Sequence, residues 1–214
     1  RSDYGWEIIP IRSLDFHDLS LYDMVIVDEA QRVRVGQLET VVSSVHSSNG
    51  TCVFSYDKAQ TLSGQEARRD IAGRINNIGS IAVYNLTEKI RTNRDMASFV
   101  KALFDSKKEP YYANGVNVKV SYFDSIEDAK SFLDSLGDRS WEVIRFTPSQ
   151  YNNEHHEKYS SVLNKTSHGV IGQEFDNVAV VIDEFFSYSS DGVLIYSGGA
   201  YYHPVKMLFQ NITR

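Results

Sequence analysis

The sequence repeatedly runs several apolar, mostly β-branched residues together and then stops the run at a carboxylate. MVIV, from Met24, leads into Asp28 and Glu29; TCVFSY, from Thr51, leads into Asp57; VAVVI, from Val178, leads into Asp183 and Glu184. Near-continuous Val/Ile runs suit strands covered on both faces, as in a parallel sheet wrapped by helices, rather than half-exposed strands with alternating polarity. SIAVYNL from Ser80, NVKVSYF from Asn117 and WEVIRFT from Trp141 are read as further strands. Helices are predicted over 94–104, with Asn93 as N-cap, and over 125–136, where Ser125 precedes Asp128 by three positions and Gly137 closes the end. The fold class is therefore α/β.

The remaining segments punctuate these elements. DSKKEPYYANG, 105–115, reads as a loop, and the aromatic-rich stretch 185–202, with its Asp-Gly and Gly-Gly steps, reads as an inserted β-hairpin. With 214 residues, 42% hydrophobic and 12% aromatic, the chain can bury the core of one large domain or two small ones. Its apolar runs are far shorter than the roughly 20 residues that cross a bilayer, so no membrane partner is expected. A single cysteine, Cys52, cannot form an internal disulfide, which suits a reducing, cytoplasmic setting. The net charge of −6 argues against a protein coated in positive charge for nucleic acid, while a local basic groove stays compatible with it. The chain begins at Arg1 without a methionine or secretion signal, and a cut N-terminus is expected.

Five segments carry the chemistry. In YDMVIVDEAQRV a buried strand delivers Asp28 and Glu29 to its C-terminal end, where open α/β sheets bind ligands. One acid there can hold Mg²⁺, the other can deprotonate an attacking water, and Gln31 can sense a nucleotide; solvated acids at a strand end are the plainer reading. In VFSYDKAQTLS, Gln60 can hydrogen-bond a γ-phosphate and the attacking water, or can belong to a polar loop. In NLTEKIRTNRDMASFV, Arg91 can offer its planar fork to a phosphate, or form a surface ion pair. In KTSHGVIGQEFDNVAVVIDE, Thr166 and His168 precede Gly172, which permits a tight turn, and then Glu174 and Phe175. In HPVKMLFQNITR, Val205, Leu208, Phe209 and Ile212 recur at helical spacing before Arg214. Outside these segments, Glu154, His155, His156 and Glu157 read as solvated surface, and the aromatics of 185–202 as hairpin packing.

In this order the five segments resemble motifs II to VI of the superfamily 1 helicase-like P-loop NTPases. They look most like a bacterial ATP-binding group of unknown function that is similar to the helicase part of Schlafen proteins. The resemblance implies RecA-like parallel sheets flanked by helices: the remainder of a first lobe over 1–90, and most of a second over 91–214 with the hairpin as an insertion. It implies ATP and Mg²⁺ as cofactors. Asp28 would hold the metal, Glu29 would be the catalytic base and Gln60 the γ-phosphate sensor. Arg91 and Arg214 would be the paired arginine fingers, a device that contributes on the order of 10³ to 10⁵ in rate in related phosphoryl transfers. Gln31, Gly172 and Glu174 would lie by the nucleotide, with Thr166 and His168 linking it to a single-stranded DNA or RNA partner.

Three departures qualify the resemblance. Tyr56 stands where the family has glycine before Asp57, so the turn must differ, and Ile171 replaces a Lys or Gln of the strand-contacting loop. No G-x-x-x-x-G-K-[ST] occurs in the sequence. A fragment lacking the phosphate cradle is expected, with little or no ATP hydrolysis of its own. The interval from Arg91 to Thr166 is too short for the large inserted domain of processive unwinding enzymes. The leading expectation is thus an ATP-hydrolysing motor core that translocates on or remodels nucleic acid. The alternative is a nucleotide-gated binding or regulatory module without productive helicase activity.

Overall fold

A computed structural model describes residues 5–79, 81–86, 93–108, 117–137 and 140–214. The architecture is mixed helix and sheet, with small parallel sheets flanked by helices. Two compact units divide the chain, Arg1–Tyr84 and Asn85–Arg214.

In the first unit, β1 (Met24–Val27) and β2 (Thr51–Phe54) pair in parallel, Met24 opposite Thr51 and Val27 opposite Phe54. A parallel pair needs a crossover between its strands. The crossover here is α1 (Val35–Ser47), which turns Leu38, Val41 and Val45 inward. Val27, Leu38 and Val41 join Leu14, Leu19, Ile71 and Ile75 in one core, against which Val25, Cys52, Phe54 and Tyr56 pack. Ile71 and Ile75 come from α3 (Ile71–Asn76), which follows α2 (Gly64–Arg69).

Successive strand residues face opposite ways. Met24, Ile26 and Val53 therefore point away from that core and are 43%, 51% and 41% exposed. The sequence predicts cover on both faces, but no described element of this unit covers the second. An unbroken apolar run identifies a strand without revealing which faces are covered.

The second unit centres on three parallel strands in the order β4-β3-β5. β3 (Glu142–Arg145) pairs with β4 (Lys165–Thr166) through its C-terminal half and with β5 (Val178–Ala179) through its N-terminal half. Helix α4 (Arg94–Phe104) starts where predicted, with the Asn93 side chain accepting from Met96 N at 2.8 Å. Ser125 Oγ accepts from Asp128 N at 3.1 Å at the start of α5 (Ile126–Gly137), whose Leu133 and Leu136 pack on Val143.

The expected hairpin is present. β6 (Phe186–Tyr188) and β7 (Leu194–Tyr196) pair antiparallel, Phe186 opposite Tyr196, around a turn in which Gly192 takes φ +82°. Phe186 and Tyr196 meet edge to face at 4.8 Å, so these aromatics do pack the hairpin. Tyr188 OH donates to Leu103 O at 3.0 Å and fastens the hairpin to α4. The last element, α6 (Pro204–Ile212), has Pro at its first turn, where the missing N–H costs nothing.

Two of the predicted strands do not form. Residues 81–86 and 117–123 carry no ladder, and Ile81, Val83, Val120 and Tyr122 are exposed. A β-branched segment becomes a strand only when a neighbour completes its backbone hydrogen bonds, and no described segment pairs with either. Residues 109–115 of the predicted loop and most of the expected break at 87–93 lie outside the described residues. No helix among the described residues is long and apolar enough to cross a membrane.

Leu38 is 5% exposed and joins α1 to the core beneath β1 and β2. Leu38→Ala is expected to destabilise the first unit by about 2–5 kcal/mol, the loss typical of a buried leucine. A urea transition followed on that unit checks this; an unchanged midpoint contradicts the core assignment.

Candidate functional site

The polar residues of the first unit gather where β1 and β2 end. Ser55 N donates to Val27 O at 2.9 Å and Ala30 N donates to Ser55 O at 2.8 Å, so the chain leaving one strand turns beside the chain leaving the other. Glu29 takes φ +52° at this turn. For a residue with a Cβ the left-handed conformation costs roughly 1–2 kcal/mol, which the surrounding bonds must hold in place.

The Glu29 carboxylate accepts from Gln31 Nε2 at 2.6 Å and from Arg32 Nε at 3.4 Å. Gln31 is only 2% exposed, and its Oε1 accepts from Asp57 N at 3.2 Å. Gln60 Nε2 in turn donates to Asp57 Oδ2 at 3.2 Å. Asp28 is exposed, with Oδ1 accepting from Glu29 N at 3.0 Å. Arg32 also reaches Glu66 at 3.8 Å. Glu66 accepts from Leu62 N and Ser63 N, while Ser63 Oγ accepts from Glu66 N, a reciprocal cap at the start of α2. The sequence-predicted Asp28, Glu29, Gln31 and Gln60 thus lie at one strand edge, joined through Asp57. Tyr56, which replaces the family's glycine, packs on the core and donates to Asn76 Oδ1 at 3.0 Å.

In the second unit Thr166 ends β4 and His168 follows it. Thr166 Oγ1 accepts from Gly169 N at 3.1 Å, and Ser167 N donates to Arg145 O at 3.0 Å. His168 Nδ1 lies 2.8 Å from Thr147 Oγ1, which also accepts from His168 N at 3.0 Å. The Tyr202 ring sits over the imidazole at 4.5 Å. Gly172 takes φ +74°, the turn its lack of a Cβ permits, and the chain then runs back to the opposite edge of the sheet. There Glu142 N donates to Asn177 O at 2.9 Å, and Glu174 is exposed on an open groove of about 460 Å³ shared with Trp141 and Glu142. Glu174 therefore stands at the edge where β3 and β5 begin, and His168 at the edge where β3 and β4 end.

Helix α6 closes this arrangement. Gln210 Nε2 donates to Ser167 O, and Phe175 N donates to Arg214 O at 2.7 Å, so the helix spans the loop from its first residues to its last. Arg214 is 9% exposed. Arg91, the other predicted finger, lies outside the described residues.

Residues 14–160 match the family described as Schlafen group 3, DNA/RNA helicase domain. The chain belongs to this family. The matched stretch takes in the whole Asp28–Gln60 cluster and ends before Thr166, His168, Glu174 and Arg214. No curated protein and no solved structure matches the chain. Membership assigns this Schlafen helicase-like chain a helicase-related role toward nucleic acid.

Several residues of the Schlafen helicase-like chain that matter here lie beyond the sequence reading. Thr147 closes the apolar run WEVIRFT, and its polar place at a strand end is a legible signal in retrospect. Arg32 gives no such signal, because its partner Glu66 is distant in sequence. The segment Glu154–Glu157 is not solvated surface: Glu154 and His156 are 7% and 6% exposed and face each other at 2.8 Å. Adjacent acids and histidines look exposed by composition, but a 3₁₀ turn over His155–Tyr159 directs them to different sides. No group of three or more metal-ligating side chains occurs among the described residues.

Gln31 is the member of the cluster that bonds to both loops at once. Gln31→Ala is expected to cost the first unit about 1–3 kcal/mol, because the Asp57 N–H and the Glu29 carboxylate lose a buried hydrogen bond. Denaturation of the variant measures it; wild-type stability would mean that the carboxamide does not join the loops.

Proposed function

We propose that the chain is part of the ATP-hydrolysing core of a superfamily 1 helicase-like enzyme with RecA-like lobes, acting on single-stranded nucleic acid by translocation or remodelling. The observation that carries this reading is the meeting of Asp28, Glu29, Gln31 and Gln60 at the C-terminal edge of two parallel strands, inside the stretch that matches a helicase family. Sheets of this kind bind ligands at that edge.

The residue types fit magnesium nucleotide. Mg²⁺ keeps several waters and takes one or two carboxylates with phosphate oxygens, so exposed Asp28 suffices as the protein's ligand. A magnesium ion held there by Asp28 would supply charge neutralisation to the phosphates. Glu29 takes the proton of the attacking water, and the bonds from Gln31 and Arg32 aim its carboxylate. Gln60, held by Asp57, reads the γ-phosphate. Arg91 and Arg214 are assigned to the charge of the transferred phosphate. Thr166 and His168, with Thr147 behind the imidazole, are assigned to the nucleic-acid strand.

One observation favours the second reading, a nucleotide-gated regulatory module. Glu29 already shares its carboxylate with Arg32 and Gln31, an engagement that also suits a site which binds ATP without turning it over.

The two readings part on the full natural protein. A motor shows ATP turnover stimulated by single strands and lowered by about 10²- to 10⁴-fold in Glu29→Gln, the usual worth of a general base. ATP binding with unstimulated or absent turnover, unchanged in Glu29→Gln, contradicts the motor reading.

A further inference from the structure

The turn after β3 encloses a polar cluster that the nucleotide and nucleic-acid assignments do not use. His156 Nε2 lies 2.8 Å from Glu154 Oε2, with both residues buried. Nε2 donates to the carboxylate, and in the neutral imidazole Nδ1 is then an acceptor. The ring is not free to turn. Phe146 packs against it edge to face at 5.4 Å, and Glu154 is itself fixed by Ser149 N at 3.2 Å and Tyr201 N at 2.5 Å.

His156 Nδ1 is buried and has no partner among the described residues, and the same holds for Ser160 Oγ. Buried polar atoms are almost always hydrogen-bonded, to protein or to ordered water. Both residues line one cavity of about 20 Å³. A water needs about 10–15 Å³ of such space and two to four polar partners. The cavity therefore has room for a single water.

A third partner lines the same cavity. Asp183 is 8% exposed, accepts from Phe185 N and Tyr196 OH at 3.1 Å each, and has capacity for a further donor. Burial holds its carboxyl above the ordinary carboxylate range, so a further donor would favour its ionised form.

We propose that this cavity is a built site for a single internal water. The water donates one hydrogen to His156 Nδ1, accepts from the Ser160 hydroxyl and turns its second hydrogen to Asp183, a three-bond complement typical of buried waters. The bridge ties the turn over His155–Tyr159 to the strand end that enters the hairpin. Through Glu154 and Tyr201 N it also steadies Tyr202, whose ring covers His168. The inference is independent of any nucleotide chemistry in the first unit.

Water-to-protein cross-relaxation in the NMR spectrum of the whole chain tests it. The His156 Hε1 proton, next to Nδ1, is expected to show a cross-peak at the water frequency with the sign of a molecule held as rigidly as the protein. Ser160→Val, which fills the cavity, should abolish that peak. A wild-type spectrum without it, or a peak of equal intensity in Ser160→Val, overturns the proposal. Should Ser160→Val fail to fold, the wild-type spectrum and a weakened peak in Ser160→Ala decide alone. A His156 ring resonance that moves when sodium is exchanged for potassium would identify a cation instead, and would overturn it as well.

Discussion

The buried carboxamide of Gln31 joins two loops that neither strand alone would bring together. Its nitrogen donates to Glu29 and its oxygen accepts from the Asp57 backbone, which fixes the end of β1 against the end of β2. Parallel pairing makes this possible, because it sends both strand ends to the same edge. With Gln31 in place, Glu29 can persist at φ +52°, Asp57 can orient Gln60, and Arg32 can span from Glu29 to Glu66 at the cap of α2. The apolar core beneath, from Leu14 to Ile75, holds the strands in register. A buried carboxamide is costly to leave without its partners, so Gln31 favours one arrangement of the edge.

The second unit reaches a comparable result by another route. Its sheet is short, and much of the order at its C-terminal edge comes from side chains bonding to backbone. Thr147 holds His168, Gln210 holds Ser167, and Glu154 holds Tyr201. Helix α6 is buried on several sides, including the polar Gln210 and Asn211, because it must pack against the loop it braces. The His168 edge and the Glu174 edge are separated by the sheet, so one motif serves two places.

Legibility in the sequence followed the range of the interactions. Local signals were readable: the Asn93 cap, the Ser125–Asp128 start and the Asp-Gly turn of the hairpin depend on residues a few positions apart. The carboxylates at strand ends were readable because a strand must deliver its last residue to an edge. Partners distant in the chain were not, which is why Arg32–Glu66 and Thr147–His168 were missed. Residues 81–86 and 117–123 have strand-like composition, yet composition says nothing about whether a neighbour is there to pair. The burial of Glu154 and His156 was not legible for a related reason, since it depends on contacts with Phe146 and the Tyr201 backbone, both outside the segment.

The edge built around Gln31 is the nucleotide site proposed for this Schlafen helicase-like protein. A crystal structure of the full natural protein with magnesium and a non-hydrolysable ATP analogue tests it most directly. The ion is expected on Asp28, directly at about 2.0–2.1 Å or through one water, with the terminal phosphate next to Glu29 and Gln60. A nucleotide bound elsewhere, with Asp28, Glu29 and Gln60 facing only solvent, would contradict it.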